Sequence, residues 1–182
     1  MSRELIVAQI PALRRYARSL TGDTWAADDL VQDTLERACN KWRLWLAGSN
    51  LRAWLFSVMH NLFLNQLRQS PGGGHSTLVD IDVLASELQA PASNPDLALD
   101  LQRCLLKLPP EQREVLLLVS MEDMSYAEIA RVTGVPPGTV MSRLSRARTR
   151  LQALLEAPAQ VRTDRATDHA VPARPTTLHR LK

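Results

Sequence analysis

From Val140 to Leu155 the apolar residues Val140, Leu144, Ala147, Leu151 and Leu155 recur at spacings of three and four, the rhythm of one buried helix face. At about 100 degrees per residue, Ser142, Ser145, Arg146 and Thr149 project from the opposite side, with Met141 and Arg143 nearer the edges. A shorter amphipathic segment precedes this one. Ser125 and Glu128 have the spacing of a capping box, in which each side chain satisfies an amide donor at the helix start. Gly134 supplies a turn at positive φ, and Pro136 or Pro137, lacking an amide hydrogen, suits the first turn of the next helix. Ala130, Gly134 and Val140 then give a close-packing, a turn and a core position in the order that a helix-turn-helix requires.

Two longer helices are written into the amino-terminal third. Residues 23–42, DTWAADDLVQDTLERACNKW, read as one helix with Asp23 or Thr24 as its cap and no internal Pro or Gly. Val31, Leu35, Ala38 and Trp42 form its expected core face, while Asp29, Asp33, Glu36 and Asn40 repeat in the same rhythm elsewhere, widened by Asp28 and Gln32. On composition alone this acidic band is a solvated surface. The next helix, residues 51–69, follows the short loop LAGSN, in which Ser49 or Asn50 can cap. Its rings Trp54, Phe56 and Phe63 alternate with His60, Asn61 and Asn65. Most of the rings belong in a core, and an amide or ring near the loop suits an unstacked base.

Between and beyond these blocks the pattern fails. Residues 70–99 include SPGGGHST and QAPASNPD, rich in Pro, Gly, Ser and Ala, and read as an acidic flexible linker. No Lys or Arg falls between Gln69 and Gln102, whereas Asp80, Asp82, Glu87, Asp96 and Asp100 do. Leu78, Val79, Ile81, Val83, Leu84 and Leu88 give it an apolar stripe that docks. The tail over 157–182 has little periodicity and reads as disordered. Its basic excess adds, at most, nonspecific attraction for DNA. The expected architecture is therefore all-α: an amino-terminal domain over 1–69, a linker over 70–99, a helix-turn-helix domain over 100–156, and the tail.

Composition narrows the function. The 182 residues are 45% hydrophobic and 23% charged, which describes a globular protein of one ordinary domain or two small ones. No apolar run approaches the roughly 18 residues of a membrane span, and the first residues lack the core of a signal peptide, so a cytoplasmic protein without membrane insertion is expected. Cys39 and Cys104 sit in no CxxC and near no histidine at ligand spacing, and no metal or cofactor site is legible. With no P-loop or Ser-His-Asp arrangement, and with His60, His75, His169 and His179 dispersed, an enzyme is not expected. Charge is concentrated in the helix-turn-helix, where Arg131, Arg143, Arg146, Arg148 and Arg150 face Glu128 alone. A lone arginine-rich helix is most often a solvated surface. A small, polar, cationic face on the second helix of a helix-turn-helix instead fits the major groove, where arginine bonds a guanine edge in bidentate fashion.

Taken together, ADDLVQDTLERA, LRAWLFSVMHNLFLNQLR and LPPEQREVLLLVSMEDMSYAEIARVTGVPPGTVMSRLSRARTRL resemble the extracytoplasmic-function sigma factors, the small members of the bacterial sigma-70 family. The similarity covers about Ile10 to Gln69 and Asp100 to Leu155. It implies sigma domain two and sigma domain four joined by a flexible linker without a domain three. It also implies that Asp28, Asp29, Gln32, Asp33 and Glu36 bind the clamp helices of the polymerase beta-prime subunit. Leu46, Gly48, Ser49 and Asn50, with Asn61, would capture a base flipped from the minus-ten element, at a cost of a few kcal/mol that contacts must offset. Ser142, Ser145 and Arg146 would read the minus-thirty-five element, with Thr139, Arg143 and Arg148 on the phosphate backbone. Met141 departs from members that carry a basic residue in GTV-x-SR, and it cannot donate to phosphate or base. The helix LPPEQREVLLLV would face the polymerase beta flap, and the linker would run toward the RNA exit path. Core RNA polymerase, promoter DNA and an anti-sigma factor are the implied partners.

The competing reading is a stand-alone helix-turn-helix regulator whose amino-terminal block dimerises or senses and never touches polymerase. An acidic helix paired with an aromatic, Asn-containing helix separates the two, because a repressor has no reason to carry that pair.

Overall fold

The computed structural model describes residues 2–42, 50–69 and 95–156. The expected linker and tail therefore lie largely or wholly outside the described residues, as do Leu46, Gly48 and Ser49. The described residues hold no strand, and their α-helices are α1 Ser2–Val7, α2 Ile10–Thr21, α3 Thr24–Asn40, α4 Leu51–Gln69, α5 Pro95–Leu106, α6 Pro110–Ser120, α7 Tyr126–Thr133 and α8 Pro137–Glu156.

Local chemistry sets the helix ends. Pro11 sits in the first turn of α2, where no amide donor is missed, and Gly22 ends the helix at φ 73°, its N–H donating to Arg18 O at 2.8 Å. One residue later Asp23 is extended and its Oδ1 accepts the Ala26 N–H at 2.6 Å, so the cap of α3 is Asp23 and not Thr24. Asn50 caps α4 by accepting the Ala53 N–H on Oδ1 at 3.1 Å. Helix α5 begins at Pro95, ahead of the expected boundary at Asp100, as a proline suits a helix start.

Packing radiates from α6. A helix that is apolar on every side must be enclosed. Val115, Leu116, Leu117 and Leu118 are all buried, and α6 touches α2 on one side and α5, α7 and α8 on the others. The amino-terminal block packs α2 on α3 and α3 on α4, with Leu13, Ala17, Leu20, Ala27, Leu30, Leu55 and Met59 at its centre. Tyr16 meets Phe56 edge-on, with centroids 5.0 Å apart. Helices α2 and α4 also meet the second block, at α6 and α7 respectively, so the two blocks share one continuous buried set.

Some expected core positions shift. On α3 the buried stripe is Ala27, Leu30, Val31, Thr34 and Ala38, and Leu35 and Trp42 are half-buried at its edge, Trp42 resting edge-on against Trp54. Leu155 is 47% exposed, contrary to expectation, while Leu154 packs against the core. Continuing the alternation of four and three from Val140 through Leu151 lands on Leu154, and a step of four overshoots the face.

Gly22 and Gly134 both adopt positive φ, but a Cβ on Gly22 would lie 2.4 Å from the Leu106 side chain, whereas one on Gly134 would meet nothing within 4 Å. Gly134→Ala should cost about 1 to 2 kcal/mol from backbone conformation alone. Gly22→Ala should lose about 1 to 3 kcal/mol more through overpacking, read as a lower urea midpoint. Equal losses at the two sites would mean that Leu106 yields freely.

Candidate nucleic-acid interface

The helix-turn-helix is built as its sequence dictates. Ser125 Oγ accepts the Glu128 N–H at 3.3 Å while Glu128 Oε2 accepts the Ser125 N–H at 2.9 Å, completing the capping box. The Ser125 N–H first, and the Ser125 hydroxyl that donates to Glu128 Oε2 at 2.7 Å second, hold the Glu128 carboxyl below its ordinary value, with smaller help from Asn50 and Arg131. Gly134 closes α7 in the left-handed region, and α8 starts at Pro137.

Val140, Leu144 and Ala147 are buried beneath α8 and leave a polar face outward. Ser145, Arg146, Arg148, Thr149 and Arg150 are exposed, and Thr139, Ser142 and Arg143 are half-buried at its margin. Ser142 Oγ donates to Thr139 O at 3.0 Å, which fixes the hydroxyl near the start of the helix. Met141 stands 52% exposed beside them. Among the described residues no carboxylate forms an ion pair with Arg143, Arg146, Arg148 or Arg150. Four guanidinium groups thus face solvent without internal neutralisation, a surface suited to phosphates.

The acidic band lies on α3, where Asp29, Gln32, Asp33 and Glu36 are exposed. Asp33 and Glu36 border a groove shared with Arg37, Asn40, Lys41 and Leu62 of α4. Asp28 differs from the rest of the band: it is half-buried and turned toward α2, 3.9 Å from Arg14 Nε and 3.8 Å from Arg18 Nη2.

The two asparagines expected to share one task are not together. Asn50 caps α4, whereas Asn61 lies about 16 Å farther along the same axis and donates to Ser57 O of its own helix at 2.8 Å. The partner that Asn50 does find is Glu128, whose Oε1 accepts from Nδ2 at 2.7 Å.

That contact belongs to a polar seam between the blocks which the sequence does not announce. Glu114 is buried on α6, 2.6 Å from His60 Nδ1 of α4, and accepts from Tyr16 Oη of α2 at 3.4 Å. Burial first, and Glu114 second, raises the Tyr16 phenol well above its ordinary value and keeps it a donor. Arg52 of α4 pairs with buried Glu122, and Gln102 Nε2 donates to Ser19 O at 3.3 Å. Arg113, whose Nη1 donates to Leu106 O at 3.2 Å, is held below its ordinary value by burial. The one sequence signal was a carboxylate inside the apolar run REVLLLV.

Known proteins match both blocks. The family model described as the Sigma2 domain of PhyR matches residues 6–60, and that described as Sigma-70, region 4, matches residues 98–151. The chain is 41% identical over 156 residues to the ECF RNA polymerase sigma factor EcfG of Rhodopseudomonas palustris, covering 84% of each. It is 34% identical over 143 residues to the ECF RNA polymerase sigma factor SigM of Mycobacterium tuberculosis, covering 79% of this chain and 71% of that one. Its fold resembles the sigma factor RpoE of Bartonella quintana, solved with the anti-sigma factor NepR, at TM-score 0.68 and 34% identity over 85% of this chain and 96% of that one. It also resembles CnrH, solved with the cytosolic domain of CnrY, at TM-score 0.64 and 29% identity over 86% and 88% of the two chains.

The capping box carries a pH signature. Because the Glu128 carboxyl is depressed, its contribution is present above the ordinary value of 4.5 and is lost as pH falls through the lower folded value. Ser125→Ala should therefore cost about 1 kcal/mol in urea unfolding at pH 7 and less at pH 3.5. An equal cost at both would assign the effect to the hydroxyl cap alone.

Proposed function

The chain belongs to the extracytoplasmic-function RNA polymerase sigma factors, and from that premise we propose how its residues divide promoter recognition. It is an alternative sigma factor, which directs promoter-specific initiation by binding core polymerase and recognising and melting promoter DNA. Sigma factors are initiation factors and not enzymes, and no helix among the described residues is long and apolar enough to cross a membrane. The sigma factors solved with NepR and CnrY support an anti-sigma partner for this chain as well.

The exposed arginine face of α8 carries the assignment of residues. Ser142, Ser145 and Arg146 read bases of the minus-thirty-five element, and Thr139, Arg143 and Arg148 hold the phosphate backbone. Arg146 projects from the centre of the face, where a planar guanidinium can span two acceptors of a guanine. Arg148 lies off that centre, where sequence-independent contacts are made. Helix α3 offers the opposite charge: Asp29, Gln32, Asp33 and Glu36, with Asp28 at the margin, bind the beta-prime clamp helices, and α6 supports the contact with the beta flap. Residues 46–50 with Asn61 act on the minus-ten element. Because Asn61 is some 16 Å from Asn50 along α4, the two touch different nucleotides of the opened strand. Domain two then comprises residues 1–69 and domain four begins at Pro95.

Transcription from a genomic promoter library, with purified core polymerase and this chain, tests the reading. Specific transcripts are expected, and tight duplex binding without any initiation would restore the stand-alone regulator. Within that assay Arg146→Ala should cost about 1 to 3 kcal/mol and relax preference at one promoter position, whereas Arg148→Ala should weaken all promoters alike. A uniform loss for Arg146→Ala would mark it as a phosphate contact. Asp33→Arg should weaken holoenzyme assembly with an unchanged melting temperature, since a charge reversal on an exposed face is mild for stability. Undiminished core affinity would remove the α3 face from the polymerase interface.

A further inference from the structure

Two polar groups at the start of α4 are already engaged by the other domain. Both ends of the Asn50 amide are used, the oxygen by Ala53 N–H and the nitrogen by Glu128 Oε1 at 2.7 Å. Arg52, two residues on, directs Nη2 at Glu122 Oε2, and its guanidinium carbon lies 6.0 Å from the centre of the Phe56 ring. The two carboxylates come from one place, the turn between α6 and α7 and the first turn of α7. Asp123, at φ 48°, reverses the chain there, in the left-handed region that Asp tolerates better than most residues.

The Arg52–Glu122 pair is a poor structural bond. The Glu122 side chain is 0% exposed and that of Arg52 38%, yet Arg52 Nε and Glu122 Oε1 are buried without a hydrogen-bond partner among the described residues. Desolvating two charges and leaving lone valences on each offsets much of their attraction. What the arginine receives from Glu122 is one anionic oxygen on Nη2, which leaves Nε of the same planar fork unused, and a phosphate can offer an oxygen to each. What Asn50 receives from Glu128 is an acceptor for its amide, which a base edge offers too. The start of α4 adds the positive end of a helix dipole, which favours an anion on the same side.

We propose that Arg52 contacts a backbone phosphate of the unpaired promoter strand, and that in the free chain Glu122 and Glu128 occupy the places of that phosphate and of the base held by Asn50. This rests on the sigma-factor reading above, because a protein that never handles an opened strand has no use for the site. The α6–α7 turn of domain four is then a competitor in cis for single-stranded DNA. Strand binding and separation of the two domains become one equilibrium: DNA is bound only as the carboxylates leave.

The full-length chain and a fluorescein-labelled single-stranded oligonucleotide of randomised sequence, followed by anisotropy at low salt, test this. The double substitution E122Q/E128Q removes both competing charges, while glutamine keeps the side-chain shape and still completes a capping box. It should bind about tenfold tighter than wild type, and adding R52A should abolish most of the gain. A control that neutralises two distant surface charges, E4Q/E156Q, should gain less than about twofold, which measures the effect of net charge alone. A double variant no tighter than this control, or a gain that survives R52A, would overturn the proposal. Should E122Q prevent folding, E128Q alone, at the surface, should still gain about threefold in an Asn50-dependent manner, and no gain there would equally overturn it. The library transcription assay keeps the two levels apart. Wild-type chain that initiates while the variants leave oligonucleotide affinity unmoved loses only the competitor, and wild-type chain that initiates nothing loses the sigma assignment itself.

Discussion

A carboxylate buried in a leucine-rich helix must find partners, and those of Glu114 lie in the other half of the chain. His60 comes from α4 and Tyr16 from α2, so satisfying one side chain on α6 brings three helices to one point. Leaving such a group unpaired in the interior costs several kcal/mol, far more than a slight change of helix packing. The relative placement of the two blocks follows from that demand more than from apolar contact, which is non-directional and would tolerate rotation or sliding. Tyr16 shows how the polar and apolar requirements are joined: its hydroxyl serves Glu114 while its ring meets Phe56 edge-on. Gly22 completes the arrangement, since the absent Cβ leaves room for Leu106 of α5 against the corner between α2 and α3.

Local features were legible because their causes are local. Asp23, Ser125 with Glu128, Gly134 and Pro137 each act within four residues, and the helix boundaries fall where they indicate. The buried face of α8 was legible through Ala147 and drifted only at Leu155, where counting in steps of four leaves the true helical period. The seam was not legible. Glu114 and Tyr16 are 98 residues apart, Glu114 and His60 are 54 apart, and a helical wheel ranks each of them only against its own neighbours. The turn of Asp28 toward α2 was not legible for the same reason, since a wheel that joins it to Asp29 and Asp33 carries no knowledge of Arg14 and Arg18.

Charge is divided between the blocks in a way that suits two partners. The exposed acids of α3 and the exposed arginines of α8 find no ion-pair partners in each other, so each field stays available to a surface of opposite sign. The seam uses polar groups of a different kind. They are few, largely desolvated and in part unsatisfied, and contribute orientation with little net stability. An apolar interface of similar extent would resist separation, because every part of its area must be returned to water. The polar part of the seam recovers hydration on opening, and so opposes separation less than the buried apolar cluster that the two blocks share beside it.

That difference bears on the order of events at a promoter. In the closed packing the α8 face is already solvent-exposed, while Asn50 and Arg52 are bonded to Glu128 and Glu122. On the assignments proposed above, duplex contacts by domain four need no rearrangement, but strand capture by domain two requires the domains to part. The long-range attraction of an arginine surface for phosphate therefore acts first, and the short-range fit of a base and one phosphate acts later, once the domains have parted. A chain so arranged is protected from single strands it meets alone, because its strand site is satisfied internally until the seam has been broken.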